Sequence, residues 1–377
     1  MRPMPRLICI LLVLALLLGA CSSPPPQETE HPALPVALWL WDGLPMCAAL
    51  RALVVEYNDT QPERPVSLRV FSSEAALGGA MNEARPDLLL CSAERASSLY
   101  EQGKLLSSAP GVELSPAFAS AGEGVGSSFF PLGAEIPLLA VNDGAYLSSP
   151  VAGGTDALAL SGAESLLSLA AAHGSSTGQP FFAADSWADL FETLLLQGGE
   201  RFLAQRAQLR ESERAAALYN ALAEAYAHGL YLGAEDPLRL VQEGQLAAAL
   251  VGSRRLVGAE AGLSVYPAPR LADGEAILPA TVWGLAVTAP SEEMARAAEP
   301  FLAWLYRPEH AAALALDEGL LPAVSLPAGE DPAPTLDSAL LLTGESFLLR
   351  PAEGGSGWEL RSEDFDEALR AALALLD

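Results

Sequence analysis

Basic residues are scarce in this chain: 21 Lys and Arg stand against 47 Asp and Glu, a formal net charge of −26 over 377 residues. Phosphate backbones are bound by clustered Lys and Arg, so this balance argues against nucleic-acid binding and against a polybasic membrane patch. The acidic surplus is the ordinary means of keeping a surface solvated. Cysteine is nearly absent, limited to Cys9, Cys21, Cys47 and Cys91. Neither a CxxC pair nor the Cys/His spacing of a metal site occurs, so no metal and no cofactor are expected. Long apolar runs are also rare, and the single one spans residues 7–18.

That run is what the amino terminus does contain. Arg2 and Arg6 precede it, and Gly19-Ala20 and then Cys21 follow it. Basic start, apolar middle and small-residue end are the order of a secretory signal, and the run is shorter than the ~18–20 residues that cross a bilayer. Leu18-Gly19-Ala20-Cys21 resembles the lipobox of bacterial lipoproteins. The resemblance implies loss of residues 1–20, a diacylglyceryl group on Cys21 and a bacterial cell; the other reading is an ordinary signal with an incidental cysteine. The expectation is an exported protein, lipid-anchored at Cys21 and facing outward or into a periplasm. Residues 21–34 hold Pro24-Pro25-Pro26 and Pro32 among polar residues, a composition that cannot build a core and reads as a flexible tether. Once the signal has gone and Cys21 is modified, Cys47 and Cys91 remain, either bridged or as two buried thiols.

From residue 35 the chain is too long for one typical core, and two lobes are expected. Strand patterns at Val36–Leu40, Val66–Phe71 and Leu88–Cys91 alternate with helical patterns at Met46–Asn58, Glu74–Ala84 and Ala93–Gln102. This order predicts a parallel sheet covered by helices, with ligands beyond the carboxyl ends of the strands. The loops to inspect are Trp41-Asp42-Gly43, Ser72-Ser73 and Ser92-Ala93-Glu94. Further strands are expected at Ile136–Val141, Pro180–Ala183, Leu246–Val251, Leu263–Pro267 and Thr281–Val287, with a turn at Asn142-Asp143-Gly144. Helices are expected near Ala163–His173, Ser186–Gln197, Glu211–His228, Ser291–Tyr306, Pro308–Glu318 and Glu363–Leu376.

Chemistry-bearing motifs are thin. Gly174-Ser175-Ser176-Thr177-Gly178 has the letters of a nucleophile elbow but not the preceding strand, and reads as a flexible loop. Gly122-Glu123-Gly124-Val125-Gly126 lacks the last glycine of a dinucleotide loop. His31 lies in the tether, and His173, His228 and His310 fall near helix ends as capping or surface residues. Asp42 with Glu94 or Glu135 leaves a carboxylate pair of glycosidase type open.

Several stretches resemble, in order, the extracellular solute-binding proteins of ABC importers, family 1, the maltose-binding type. They are Trp39-Leu40-Trp41-Asp42, Arg85-Pro86-Asp87-Leu88, Phe130-Pro131-Leu132 leading to Asn142-Asp143, Glu243 to Gly252, Trp283 to Val287, and Phe301 to Ala323. The resemblance implies an α/β, two-lobe periplasmic-binding-protein fold (type II) with the ligand cleft between lobes. Lobe 1 would hold 35–139 plus 267–325 and lobe 2 140–266 plus 326–377. It implies no enzyme but a small-molecule solute, carbohydrate or polyol, passed to the transmembrane subunits of an ABC permease. Candidate ligand contacts are Trp41, Asp42, Ser72, Ser92 and Glu94 from the first lobe, Glu135 and Trp283 from the crossing, and Asp185, Trp187, Arg254 and Trp358 from the second. Aromatic faces stack on sugar rings while polar groups hold hydroxyls, yet each tryptophan fits core packing equally well. Two departures bear on the ligand: Ser253-Arg254-Arg255 stands where the family often has an aromatic, which allows an anionic group, and the turn at Asn142-Asp143 lacks the usual lysine. A sensor or scaffold of the same fold, and a surface hydrolase, are the alternatives.

Overall fold

The computed structural model describes residues 35–351 except 121–124, 153–159, 161, 200–212, 232, 234, 260–261 and 327–333. Cys21, the signal and tether, His31, Trp358, the helix expected at 363–376 and the Gly122–Gly124 part of the glycine-rich loop lie outside the described residues.

The chain begins with three β–α units: β1 (Val36–Trp41), α1 (Cys47–Thr60), β2 (Val66–Phe71), α2 (Glu74–Glu83), β3 (Leu88–Ser92) and α3 (Ala93–Glu101). β1 pairs in parallel with both β2 and β3. Near-continuous apolar sequence in β1 and β3 fits strands covered on both faces, and Leu38, Leu40, Leu88, Leu89 and Leu90 are fully buried. Serines cap α2 and α3, and the turns leading into these two helices are short. Ser73 Oγ accepts the Ala76 N–H at 3.2 Å and Ser92 Oγ accepts the Arg95 N–H at 3.2 Å.

β4 (Phe129–Glu135) continues this sheet, and after Ile136 the chain enters β5 (Pro137–Val141) of a second one. There follow α4 (Asp143–Ser148), α5 (Ala163–Thr177), β6 (Phe182–Ala184), α6 (Trp187–Gln197), α7 (Glu213–Gly229), α8 (Pro237–Gln242), β7 (Ala248–Gly252), a 3₁₀ turn at Ser253–Leu256 and β8 (Ser264–Pro267). Residues 268–276 lead back to β9 (Ile277–Val287), then come α9 (Glu292–Leu305), α10 (Pro308–Ala315), a 3₁₀ turn at Leu316–Glu318, β10 (Leu321–Pro322), α11 (Leu336–Ser346) and β11 (Leu348–Pro351). The first sheet runs β10-β4-β9-β3-β1-β2, with β11 beside β9, and the second β6-β7-β5-β8. The division placed between 139 and 140 therefore falls inside β5, and β11 lies against the first sheet. Among the described residues no helix is long and apolar enough to cross a membrane.

The structure corrects several local expectations. Gly174–Thr177 is helical, not a loop: α5 extends to Thr177 and Gly178 caps it in the left-handed region at φ 69°. The glycine is needed for packing, since a Cβ at Gly174 would lie 1.2 Å from the His228 carbonyl oxygen, and one at Gly229 1.7 Å from that of Ala170. The α5 and α7 backbones touch there. Asn142 is a helix cap and not a free turn, its Oδ1 accepting the Ala145 N–H at 3.0 Å. His310 is buried within α10, stacked on Trp304 at 3.6 Å between centroids and donating from Nδ1 to the Trp304 carbonyl at 2.8 Å. His173 sits inside α5, 2.7 Å from Ser149 Oγ and packed on Phe181, and burial lowers its pKa. Cys47 and Cys91 are both free and buried, and burial pushes the Cys91 thiol up to about 12.

Candidate functional site

Both sheets present the same kind of edge at the place where the chain crosses between them. β3 and β4 each run antiparallel to β9, so Ser92, Trp283 and Gly133 lie in one row. One step along, Glu135 faces Thr281. Residues two apart on a strand share a face, which makes Glu135 and Trp283 diagonal neighbours on the same side of the sheet. That side is open here: Glu135 and Trp283 are half-buried and Thr281 exposed, whereas the intervening Ala134 and Val282 are buried. In the second sheet Pro137 pairs with Gly252, and Ala184 with Leu250. Asp185 and Gly252 thus emerge beside the peptide that ends β4.

Ser253 fixes this junction. Its backbone N–H donates to the Ile136 carbonyl at 2.9 Å, and its hydroxyl accepts the Ile136 N–H at 3.3 Å. Ser253 is fully buried, so the crossing peptide has its polar groups satisfied without water. The second crossing is held by Gln197, at the end of α6 and also buried. Its Nε2 donates to the Pro269 carbonyl at 3.2 Å, its Oε1 accepts the Leu271 N–H at 2.8 Å, and its carbonyl accepts the Glu275 N–H at 2.8 Å.

Around the first crossing the charged side chains converge. The Gly252 N–H donates to Asp185 Oδ2 at 3.1 Å. A Cβ at Gly252 would stand 2.9 Å from Glu135 Oε1, so only glycine lets the carboxylate approach this closely. The Arg255 guanidinium is gripped by Asp185 and by Asp236, the latter at 2.5 Å, and Asp236 in turn caps α8 by accepting the Leu238 N–H at 2.9 Å. Burial pushes the Asp236 carboxyl up, but Arg255 and the N–H groups of Leu238 and Arg239 more than offset this and leave it below the ordinary aspartate value. Arg254 faces Glu318 across the lobes at 3.9 Å. Burial raises the pKa of Glu135, with the Arg254 charge pulling it down and the Asp185 charge pushing it up. The Glu135 carboxylate takes no hydrogen bond among the described residues. Two donors nearby are buried and also without partners among them: the indole Nε1 of Trp283 and Nε of Arg254.

Of the residues singled out in the sequence, Glu135, Asp185, Arg254 and Trp283 come together. Trp41 ends β1 half-buried, beside Gly43, whose φ of 98° turns the chain away. Asp42 is exposed and paired with Arg51 at 3.2 Å. Ser72 and Glu94 are exposed at strand ends of the first sheet, and Ser92 is occupied in capping α3. Trp187 lies in the core, buried edge-on against Phe182 at 5.7 Å between centroids, and not at the cleft. Asp236, Glu318 and Gln197 were not singled out, and Ser253 and Arg255 figured only in the departure from the family pattern, not as candidate contacts. A signal existed for two of them: Arg255 adjoins Arg254, and Asp236 precedes Pro237 as a helix cap would.

Comparison with known proteins places this geometry. A family profile described as bacterial extracellular solute-binding protein matches residues 72–333. No curated protein matches the sequence. Among solved structures, the cyclic alpha-maltosyl-1,6-maltose binding protein from Arthrobacter globiformis superposes with a TM-score of 0.72 at 18% identity, over 91% of this chain and 94% of that one. The sugar-binding protein MalE from Xanthomonas citri gives 0.70 at 14% identity, over 90% and 92%. A family 1 extracellular solute-binding protein from Bifidobacterium longum subsp. infantis gives 0.68 at 14% identity, over 90% and 95%. Each of these likenesses speaks to the two-lobe fold, and the profile covers well over half the residues. The chain belongs to the bacterial extracellular solute-binding proteins.

Proposed function

We propose that the protein captures a carbohydrate or polyol between its lobes and delivers it to the transmembrane subunits of an ABC importer, while a lipid on Cys21 keeps it at the membrane. The observation that carries the ligand class is the pairing of two unmet polar groups on one face at the crossing. The Trp283 indole offers a donor and the Glu135 carboxylate an acceptor. A hydroxyl satisfies both at once, because it accepts through oxygen and donates through hydrogen. Buried polar groups without partners cost stability, so a solute that supplies the partners is held by them. Contacts from both sides of the junction let binding favour the closed arrangement of the lobes. The Arthrobacter cyclic alpha-maltosyl-1,6-maltose binding protein and the Xanthomonas sugar-binding protein, which share the fold, support this reading. Trp41, Asp42, Ser72 and Glu94 at the other strand ends would extend the contact surface of the first lobe.

The test is a thermal-shift screen of the protein from Ser22 onward against sugars and polyols, with mass spectrometry of material carried through purification. A bound solute raises Tm by mass action. The expected result is a saturable rise with at least one polyhydroxy compound, which Glu135→Ala and Trp283→Phe each weaken. A screen in which no such compound binds and none is carried through overturns the reading. For the anchor, Cys21→Ala should release the protein from the membrane fraction.

A further inference from the structure

Two adjacent arginines at the end of a strand look like an anion site, because a guanidinium fork matches carboxylate and phosphate oxygens. Here the Arg255 fork is already taken, and Arg254, although its Nε has no partner among the described residues, is faced by carboxylates. Arg255 is shared by Asp185 and Asp236, and neither carboxylate is free to swing away. Asp185 holds the Gly252 N–H through its other oxygen, and Asp236 holds the first turn of α8. Arg254 faces Glu318 and lies in the field of Glu135. Four carboxylates therefore surround two guanidiniums, and the cluster keeps a surplus of negative charge.

We infer that the cleft selects solutes without negative charge, and that Asp185 and Asp236 by occupying Arg255, and Glu318 by countering the charge of Arg254, set this selectivity. The inference rests on the reading of this cluster as the solute site. An entering anion would have to displace a tethered carboxylate or sit among like charges, and juxtaposed like charges are an effective way to reject a wrong partner. A neutral polyhydroxy solute meets no such barrier. Asp185, Asp236 and Glu318 are thus specificity-determining without being the groups that the solute contacts most.

The test is titration calorimetry of the purified full chain with sodium sulfate, sodium phosphate and sodium glucuronate at low ionic strength, where charge effects are least screened. The wild-type protein should bind none of the three saturably. Asp236→Asn should bind sulfate or phosphate at least about tenfold more tightly than wild type, since asparagine keeps the helix cap while releasing one arm of Arg255. Asp185→Asn/Asp236→Asn should gain more, and adding Arg255→Ala should abolish the gain. Saturable binding of any of the three anions by the wild type overturns the inference, as does a folded Asp236→Asn that gains nothing. If the double variant fails to fold, Asp236→Asn and Glu318→Gln carry the test. Because the probes are anions and not sugars, failure here is distinct from failure of the sugar screen.

Discussion

Among the described residues two strand-to-strand crossings join the sheets, β4 to β5 and β8 to β9, and they are built differently. The first is a single residue, Ile136, held by one serine through a backbone and a hydroxyl hydrogen bond. The second is the nine-residue stretch 268–276, held by three hydrogen bonds to Gln197. Ser253 directly follows β7 of the second sheet, whereas Gln197 ends α6, which packs against β9 of the first. On the first-sheet side β4 has a register shift between Pro131 and Gly133. A long crossing needs a side chain to satisfy its interior polar groups, whereas a one-residue crossing needs only a neighbour that donates and accepts.

The sharpest way to break this comparison is to remove the holding side chains. Gln197→Ala leaves a buried carbonyl and a buried N–H without partners, and should cost about 3 kcal/mol in urea unfolding. Ser253→Ala removes only the acceptor for the Ile136 N–H and keeps the backbone bond. It should cost about 1–2 kcal/mol and speed hydrogen exchange at the Ile136 amide. If the serine variant proves the more damaging, the idea that the longer crossing depends more on its clamp fails.

A third substitution reaches the site itself. The folded-state pKa of Glu135 is raised, so the folded protein holds that proton more tightly than the unfolded chain does. The contribution of this group is favourable below the unfolded value and is lost as pH rises through the folded one. Glu135→Gln should therefore stabilise the unliganded protein at neutral pH, by less than about 1 kcal/mol, and flatten the dependence of Tm on pH between the ordinary glutamate value and neutrality. It should weaken solute binding at the same time. A loss of stability at pH 7 would contradict the assignment of a partly buried carboxylate that takes no hydrogen bond among the described residues. The smallest effect belongs to the cross-lobe pair: Glu318→Gln should change stability by less than about 0.5 kcal/mol, and the change should vanish at high salt.

Much of the first sheet was legible because its signals are local. Strand patterns at Val66–Phe71 and Leu88–Cys91 need no distant information, and Ser291 announces α9 by capping it, accepting the Met294 N–H at 3.3 Å. β4 was not legible as a strand, since Pro131 and Gly133 speak against one. The register shift accommodates them, and the Tyr306 hydroxyl bonds the Pro131 carbonyl. The helical end of α5 was hidden for a related reason: its glycine and hydroxyl residues suit a loop until α7 packs against it. At the site, Glu135 and Trp283 were reachable through resemblance. The Arg255 pairings were not, because its partners lie 70 and 19 positions away. Trp187 was offered for its aromatic face with core packing as the equal alternative, and as the first residue of α6 it turns into the core.

The half-buried indole of Trp283 has an optical consequence. Of the six tryptophans, Trp39, Trp187 and Trp304 are enclosed, the last beneath the His310 ring. Trp358 lies outside the described residues, which leaves Trp41 and Trp283 near the strand ends. An oxygen arriving at the Trp283 N–H changes the polarity around one emitter while the enclosed ones stay constant. Under the proposed function, emission from the native protein should therefore report occupancy, with Trp283→Phe as its blank.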